Sequence, residues 1–125
     1  DLISSHPGTK VHGYLSADEV KRRMDDADVY LCTSHDEGLG LPLLEAQYAG
    51  LPVIAPDQPV FREVLGTSGT FIDPSNPQLA ATLIAGVMSA PNWREAYAAA
   101  ALANVSRWNT LAASRAEVPV AFRTQ

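Results

Sequence analysis

The chain has 125 residues, 46% hydrophobic and 18% charged, which is one domain's length with enough apolar material for a packed core. Its net charge of −5 and the absence of a basic patch argue against a nucleic-acid partner, and no apolar run approaches the roughly 20 residues of a membrane span. A single cysteine, Cys32, excludes an internal disulfide and a cysteine-rich metal site.

In chain order, apolar runs alternate with amphipathic stretches, the pattern of an α/β protein with a parallel sheet flanked by helices. Val11–Leu15 reads as a short strand. Ser16-Ala17-Asp18-Glu19 is a capping box opening a helix to about Ala27. Lys21-Arg22-Arg23 reads as a solvated face of that helix. Val29–Thr33 reads as a buried strand with Cys32 as an inert interior thiol. A loop, Ser34–Gly40, leads to a helix with Pro42 in its first turn, and Gly50 suits its left-handed cap. Val53–Ala55 is a third strand, followed by a short helix around Val60–Leu65 and a fourth strand, Thr70–Asp73. Asn76-Pro77 starts a helix whose Leu79, Leu83, Ile84, Val87 and Met88 share one face. Asn92–Glu95 opens an Ala-rich helix to about Asn104. The pattern weakens after Trp108, and Pro119 argues against a long final helix.

The chemically informative stretch is Ser34 to Glu45, which joins the end of a strand to the start of a helix. In open α/β sheets ligands bind outside the carboxyl ends of the strands. Gly38 and Gly40 let the backbone approach a ligand, and the free N–H groups from Leu39 to Leu43 suit a phosphate. Loop geometry alone explains the two glycines equally well. Glu37 and Glu45 face one crevice if Glu45 lies in the first turn or so of the helix. Carboxylates beside a phosphate would repel it, so they fit sugar and ribose hydroxyls, each bond charge-assisted. The competing reading makes Glu45 a partner of the helix dipole and Glu37 a solvated side chain. His6, His12 and His35 show no metal-ligand spacing. His35 is the histidine nearest the crevice, and Asp36 reads as solvated. Arg62 and Glu63 fit an ion pair or a helix cap.

Glu37-Gly38-Leu39-Gly40-Leu41-Pro42-x-x-Glu45-Ala46, followed by Gly50-x-Pro52-Val53-Ile54-Ala55, resembles the Glu-x7-Glu signature of the group 1 (family 4) retaining glycosyltransferases of the GT-B fold. The likeness continues through Val11–Leu15, Ala27–Leu31 with Ser34, Pro59–Val64, Phe71–Pro74 and Trp108, about residues 11–110 in all. It implies that residues 1–125 are a Rossmann-like, donor-binding C-terminal half-domain that lacks its first strands and its acceptor-binding partner domain. The start at Asp1 without a Met fits a fragment. Glu37 would hold hydroxyls of the transferred sugar and be the catalytic position. Glu45 would hold the ribose hydroxyls. The amides of Leu39, Gly40 and Leu41 would meet the sugar and the distal phosphate, with Gly38 in the same loop and Leu44 near the ribose. The family needs no metal or other cofactor. Its front-face transfer lets the departing diphosphate help take the acceptor's proton. The family usually carries Phe where Leu39 stands.

A diphosphate leaving group needs cations. None of the nine Lys and Arg residues lies between Met24 and Phe61, and the family supplies an Arg and a Lys from segments that would precede Asp1. This chain alone is therefore expected to be inactive. The resemblance implies a nucleoside diphosphate sugar as donor and a glycan, lipid or small molecule as acceptor, bound through the absent domain. It further implies a role in polysaccharide biosynthesis in the cytoplasm, with room for association of the intact enzyme with the inner membrane surface. Pro59–Val64 is weakly similar to mannosyl- and rhamnosyltransferases of surface polysaccharides. Two rivals stand beside this reading. One is a non-catalytic α/β nucleotide-binding fragment. The other is a regulatory module of receiver type, which has no role for glycine-flanked glutamates. In the family's strand order, 3-2-1-4-5-6, Val11–Leu15 would be third and Val29–Thr33 fourth. Without the strands between them, either Val11–Leu15 leaves its usual place or association between chains covers the edge of Val29–Thr33.

Overall fold

The computed structural model describes residues 6–33 and 40–114. The capping box forms as expected at the start of helix α1 (Ala17–Asp26). The Ser16 hydroxyl accepts from the Glu19 N–H at 3.2 Å, and the Glu19 carboxylate accepts from the Ser16 N–H at 3.3 Å. Lys21, Arg22 and Arg23 are exposed, as a solvated face requires.

Three parallel strands follow: β1 (Tyr30–Leu31), β2 (Val53–Pro56) and β3 (Thr70–Ile72), side by side in the order β1-β2-β3. Tyr30 pairs with Val53 and Ile54 with Thr70. Parallel neighbours need crossovers. Helix α2 (Gly40–Tyr48) supplies the first, and α3 (Pro59–Leu65) with a 3-10 turn (Gly66–Ser68) supplies the second. Pro at the first position of α3 costs no hydrogen bond there. Helix α4 (Pro77–Ser89) is capped by the Asn76 side chain, which accepts from the Leu79 N–H at 3.2 Å. Helix α5 (Trp93–Ser114) completes the described chain.

The alternation of β2 divides the core. Val53 and Ala55 face one side with Leu43, Ala46, Phe61, Leu65 and Cys32. Ile54 faces the other with Ile72 and Ala80, and Val29 and Ile84 pack against them. β2 is buried along its whole length, as a central parallel strand must be. Helix α5 lies against α2 and the 3-10 turn.

Several expectations need correction. Val11–Leu15 is not a strand. Val11 is 60% and Tyr14 97% exposed, and the segment runs outside the sheet. A strand needs a neighbour for its N–H and C=O groups, and among the described residues β1 has a partner on the β2 side only. Val11–Leu15 has thus left its usual place, as the first alternative expected. With that edge unpaired, the strand expected over Val29–Thr33 shrinks to two residues, and Leu31 is 50% exposed. Order 4-5-6 of the expected sheet does survive in β1-β2-β3. On α4, Leu79, Leu83 and Met88 point to solvent, and Ala80 and Ile84 make the contact with the sheet. Helix α5 runs ten residues past Asn104, because Trp108 continues its inward face where a break was read. Pro119 lies outside the described residues.

Helix α2 ends in a Schellman motif. The Gly50 N–H donates to the Gln47 carbonyl at 2.9 Å and the Leu51 N–H to the Ala46 carbonyl at 3.0 Å. Gly50 has φ of 84°, while a Cβ there would only touch Ala98 at 4.0 Å. Conformation, not space, therefore demands the glycine. Gly50→Ala should lower stability by about 1 kcal/mol. Urea denaturation should show this as a lower midpoint with an unchanged slope.

Candidate functional site

The parallel sheet aligns the carboxyl ends of β1, β2 and β3 along one edge. Chain order puts the start of α2 after the carboxyl end of β1 and its end before the start of β2. Of the expected site residues, Glu37, Gly38 and Leu39 lie outside the described residues, as do His35 and Asp36. Gly40 and Leu41 open α2. Leu44 is buried, and Glu45 is exposed.

Helix α2 starts two residues before Pro42, because a residue within the first turn needs no internal N–H bond. Glu45 is consequently in the second turn, and the first turn holds no acidic residue. The field of a helix N-terminus fades within its first turn. Dipole compensation is thus a poor account of Glu45. The helix buries Leu43, Leu44, Ala46 and Gln47, and turns Glu45 away from the interior. Glu45 also lies near β1. Burial pushes the Tyr30 phenol above its usual pKa, and electrostatic interaction with nearby Cys32 and Glu45 adds to the rise.

An open cleft of about 560 Å³ occupies the same sheet edge, at the ends of β2 and β3. Asp57, Gln58, Asp73 and Ser75 line it with Pro56, Ile72 and Pro74. Arg62 forms an ion pair with Asp57 and lies 4.5 Å from the centre of the Phe71 ring. The ion-pair reading of Arg62 is therefore the one realised. The Arg62 hydrogen bond holds Asp57 below its ordinary pKa, and hydrogen bonds from Ser75 do the same for Asp73. Nothing in the periodicity of the sequence pointed to this cleft, because its walls meet only once β2 and β3 are paired.

A buried polar network, not evident in the sequence pattern as read above, lies behind α2. The Gln47 amide nitrogen donates to Ser68 Oγ at 2.7 Å, and its oxygen accepts from Asn104 Nδ2 at 2.6 Å. Ser68 Oγ donates in turn to the Leu65 carbonyl. The Val64 carbonyl accepts from Asn104 at 2.9 Å, Trp108 Nε1 at 2.8 Å and Arg107 at 3.2 Å. Gln47, Ser68 and Asn104 are all buried. A signal was present: Ala101, Asn104, Val105 and Trp108 follow the inward spacing of a helix, with a polar residue among apolar ones.

Among the described residues no group of His, Cys, Asp and Glu is placed to hold a metal ion. No described helix is long and apolar enough to cross a membrane.

Comparison with known proteins adds a family. Residues 6–103 match the family model described as glycosyl transferases group 1. The D-inositol 3-phosphate glycosyltransferase of Streptosporangium roseum is 36% identical over 96 residues, which is 74% of this chain and 22% of that protein. The O-antigen chain mannosyltransferase B of Escherichia coli is 29% identical over 97 residues, 78% of this chain and 26% of that protein. The chain thus spans about a quarter of the length of these curated relatives. No solved structure matches it.

The Asp57–Arg62 pair has a pH signature. A carboxylate with a depressed folded-state pKa contributes stability above its unfolded pKa, and that contribution is lost as pH falls through the folded value. Below about pH 4, the unfolded aspartate range, Arg62→Ala should lose stability less steeply than the parent chain. Carboxyl-detected NMR should place the Asp57 midpoint higher in Arg62→Ala. An unmoved midpoint would mean that the pair does not persist in solution.

Proposed function

This chain belongs to the group 1 glycosyl transferases, and from that premise we propose that it is the donor-binding part of an enzyme that transfers a sugar from a nucleoside diphosphate. The observation that carries this reading is Glu45. It is an exposed carboxylate in the second turn of a helix that returns from the carboxyl edge of a parallel sheet. There it can accept hydrogen bonds from the two hydroxyls of a ribose, each bond charge-assisted. The start of α2 at Gly40 and Leu41 leaves backbone N–H groups without helical partners, which suits the distal phosphate.

Glu37 and Gly38-Leu39, by the family resemblance, address the transferred sugar from the preceding loop. Glu37 is the position proposed to touch the reacting group. Leu44, also proposed near the ribose, would act by packing, as its burial favours. The proposed transfer retains anomeric configuration without a metal, the departing diphosphate helping to take the acceptor's proton. The charge that develops on it needs cations. Arg62 is paired with Asp57, Arg94 with Asp28, and Arg107 donates to the Glu63 and Val64 carbonyls. Cations from elsewhere in a longer enzyme would serve the diphosphate, together with a domain that binds the acceptor. The chain by itself would then bind nucleotide without turnover. The relatives, one an O-antigen chain mannosyltransferase and one a D-inositol 3-phosphate glycosyltransferase, favour a glycan or a small molecule as acceptor; the proposed place of work is the cytoplasm.

Titration calorimetry or NMR with UDP, GDP and their deoxyribose analogues tests the role of Glu45. The parent chain should prefer ribose by about tenfold, the effect of one hydrogen bond to a charged group. Glu45→Ala should abolish that preference. A mutant that still discriminates the sugars would overturn the assignment. In the intact enzyme, Glu37→Gln should lower turnover more than donor affinity, since contacts made with the reacting group act mainly in the transition state. Steady-state kinetics that show equal losses of donor affinity in both mutants, with turnover intact, would reduce Glu37 to a binding residue.

A further inference from the structure

We infer that Gln47, held by Ser68 and Asn104, is a positioning residue that sets the rotation of α2 and thereby aims Glu45 at the ligand. This rests on the reading of Glu45 as the ribose acceptor. Gln47 follows Glu45 by two residues, which is about 200° around an α-helix. The two side chains therefore leave α2 on nearly opposite sides. Gln47 goes into the interior and Glu45 to solvent.

The other inward residues cannot supply the same control. Leu43 and Ala46 press α2 against the sheet. Apolar contact is non-directional, so it tolerates small rotations and slides of the helix. The Gln47 amide is different. It is fully buried and gives and accepts one bond each, at 2.7 Å to Ser68 and 2.6 Å from Asn104. Turning α2 would break both bonds inside the protein, where unpaired polar groups are costly. The partners are themselves fixed. Asn104 also donates to the Val64 carbonyl, and its oxygen accepts from Arg107 at 2.8 Å and 3.0 Å. Ser68 is held by the Leu65 carbonyl. The register of α2 is thus referred to the end of α3 and to α5, neither of which carries an expected ligand-binding residue.

Gln47→Met keeps the length of the side chain and removes both bonds. Nucleotide titration with UDP, GDP and their deoxyribose analogues should show the ribose preference falling from about tenfold to about threefold or less, with the helical circular dichroism retained. Ile54→Val, a core truncation on the face of the sheet opposite α2, should keep the full preference. Exchanging the pair, Gln47→Asn with Asn104→Gln, preserves the combined length and should restore much of it. A folded Gln47→Met with full preference would overturn the inference, as would an equal loss in Ile54→Val. If Gln47→Met does not fold, Ser68→Ala removes one of the two bonds. A reduced preference there supports the inference, and an intact one overturns it. Glu45→Ala, run in parallel, separates the two ideas. Retained preference in Glu45→Ala defeats the ribose reading and this inference with it. Lost preference in Glu45→Ala with retained preference in Gln47→Met defeats the positioning role alone.

Discussion

The Val64 carbonyl and the buried amides gathered behind it are the constraint on which the arrangement of helices depends. Three donors from α5, namely Asn104, Arg107 and Trp108, converge on this one acceptor at the end of α3. The last carbonyls of a helix have no internal partners, so they must find others. Here α5 provides them. The same Asn104 reaches Gln47 on α2, and Gln47 reaches Ser68 in the 3-10 turn. A satisfied polar network of this kind rigidifies a core more than apolar packing alone, because each member restricts the geometry of the next. No buried side-chain nitrogen or oxygen among the described residues lacks a partner.

The sheet imposes the second constraint. Parallel pairing of β1, β2 and β3 sends their carboxyl ends to one edge, and that edge carries both the α2 approach and the cleft between Asp57 and Asp73. The β1 side is less well covered. An apolar hollow of about 230 Å³, lined by Leu15, Val20, Met24, Val29, Tyr30 and Leu51 among others, lies between α1 and β1. Helix α1 has no buried residue. The two-residue length of β1 and the exposure of Leu31 follow from the same lack of a neighbour on that side.

Much of the molecule was legible in its sequence where the signal is local. The Ser16–Glu19 box, the Asn76 cap and the Gly50 terminus each involve groups within a few residues of one another, and each formed as read. Val53–Ala55 was equally legible as a strand, and β2 contains it, while the side each residue faces came only with the fold. Glu45 was identified as a candidate from its neighbours, although its place in α2 was set one turn too early. The loop that carries Glu37 lies outside the described residues.

What the sequence by itself determined, then, is the order and type of the helices and strands from α1 onward, the parallel α/β class and the identity of the exposed carboxylate on α2. Caps, turns and periodicity act over one or two turns of chain, and their physics is complete within that distance. Only the tertiary structure decided which polar residues go inward. Gln47 and Asn104 are 57 positions apart, and either could have been a solvated side chain until the other was brought within 2.6 Å. It likewise decided that Leu79, Leu83 and Met88 stay in water while Ala80 and Ile84 meet the sheet. It also left Val11–Leu15 without a strand to join, because backbone pairing is a property of two segments and cannot be read from one.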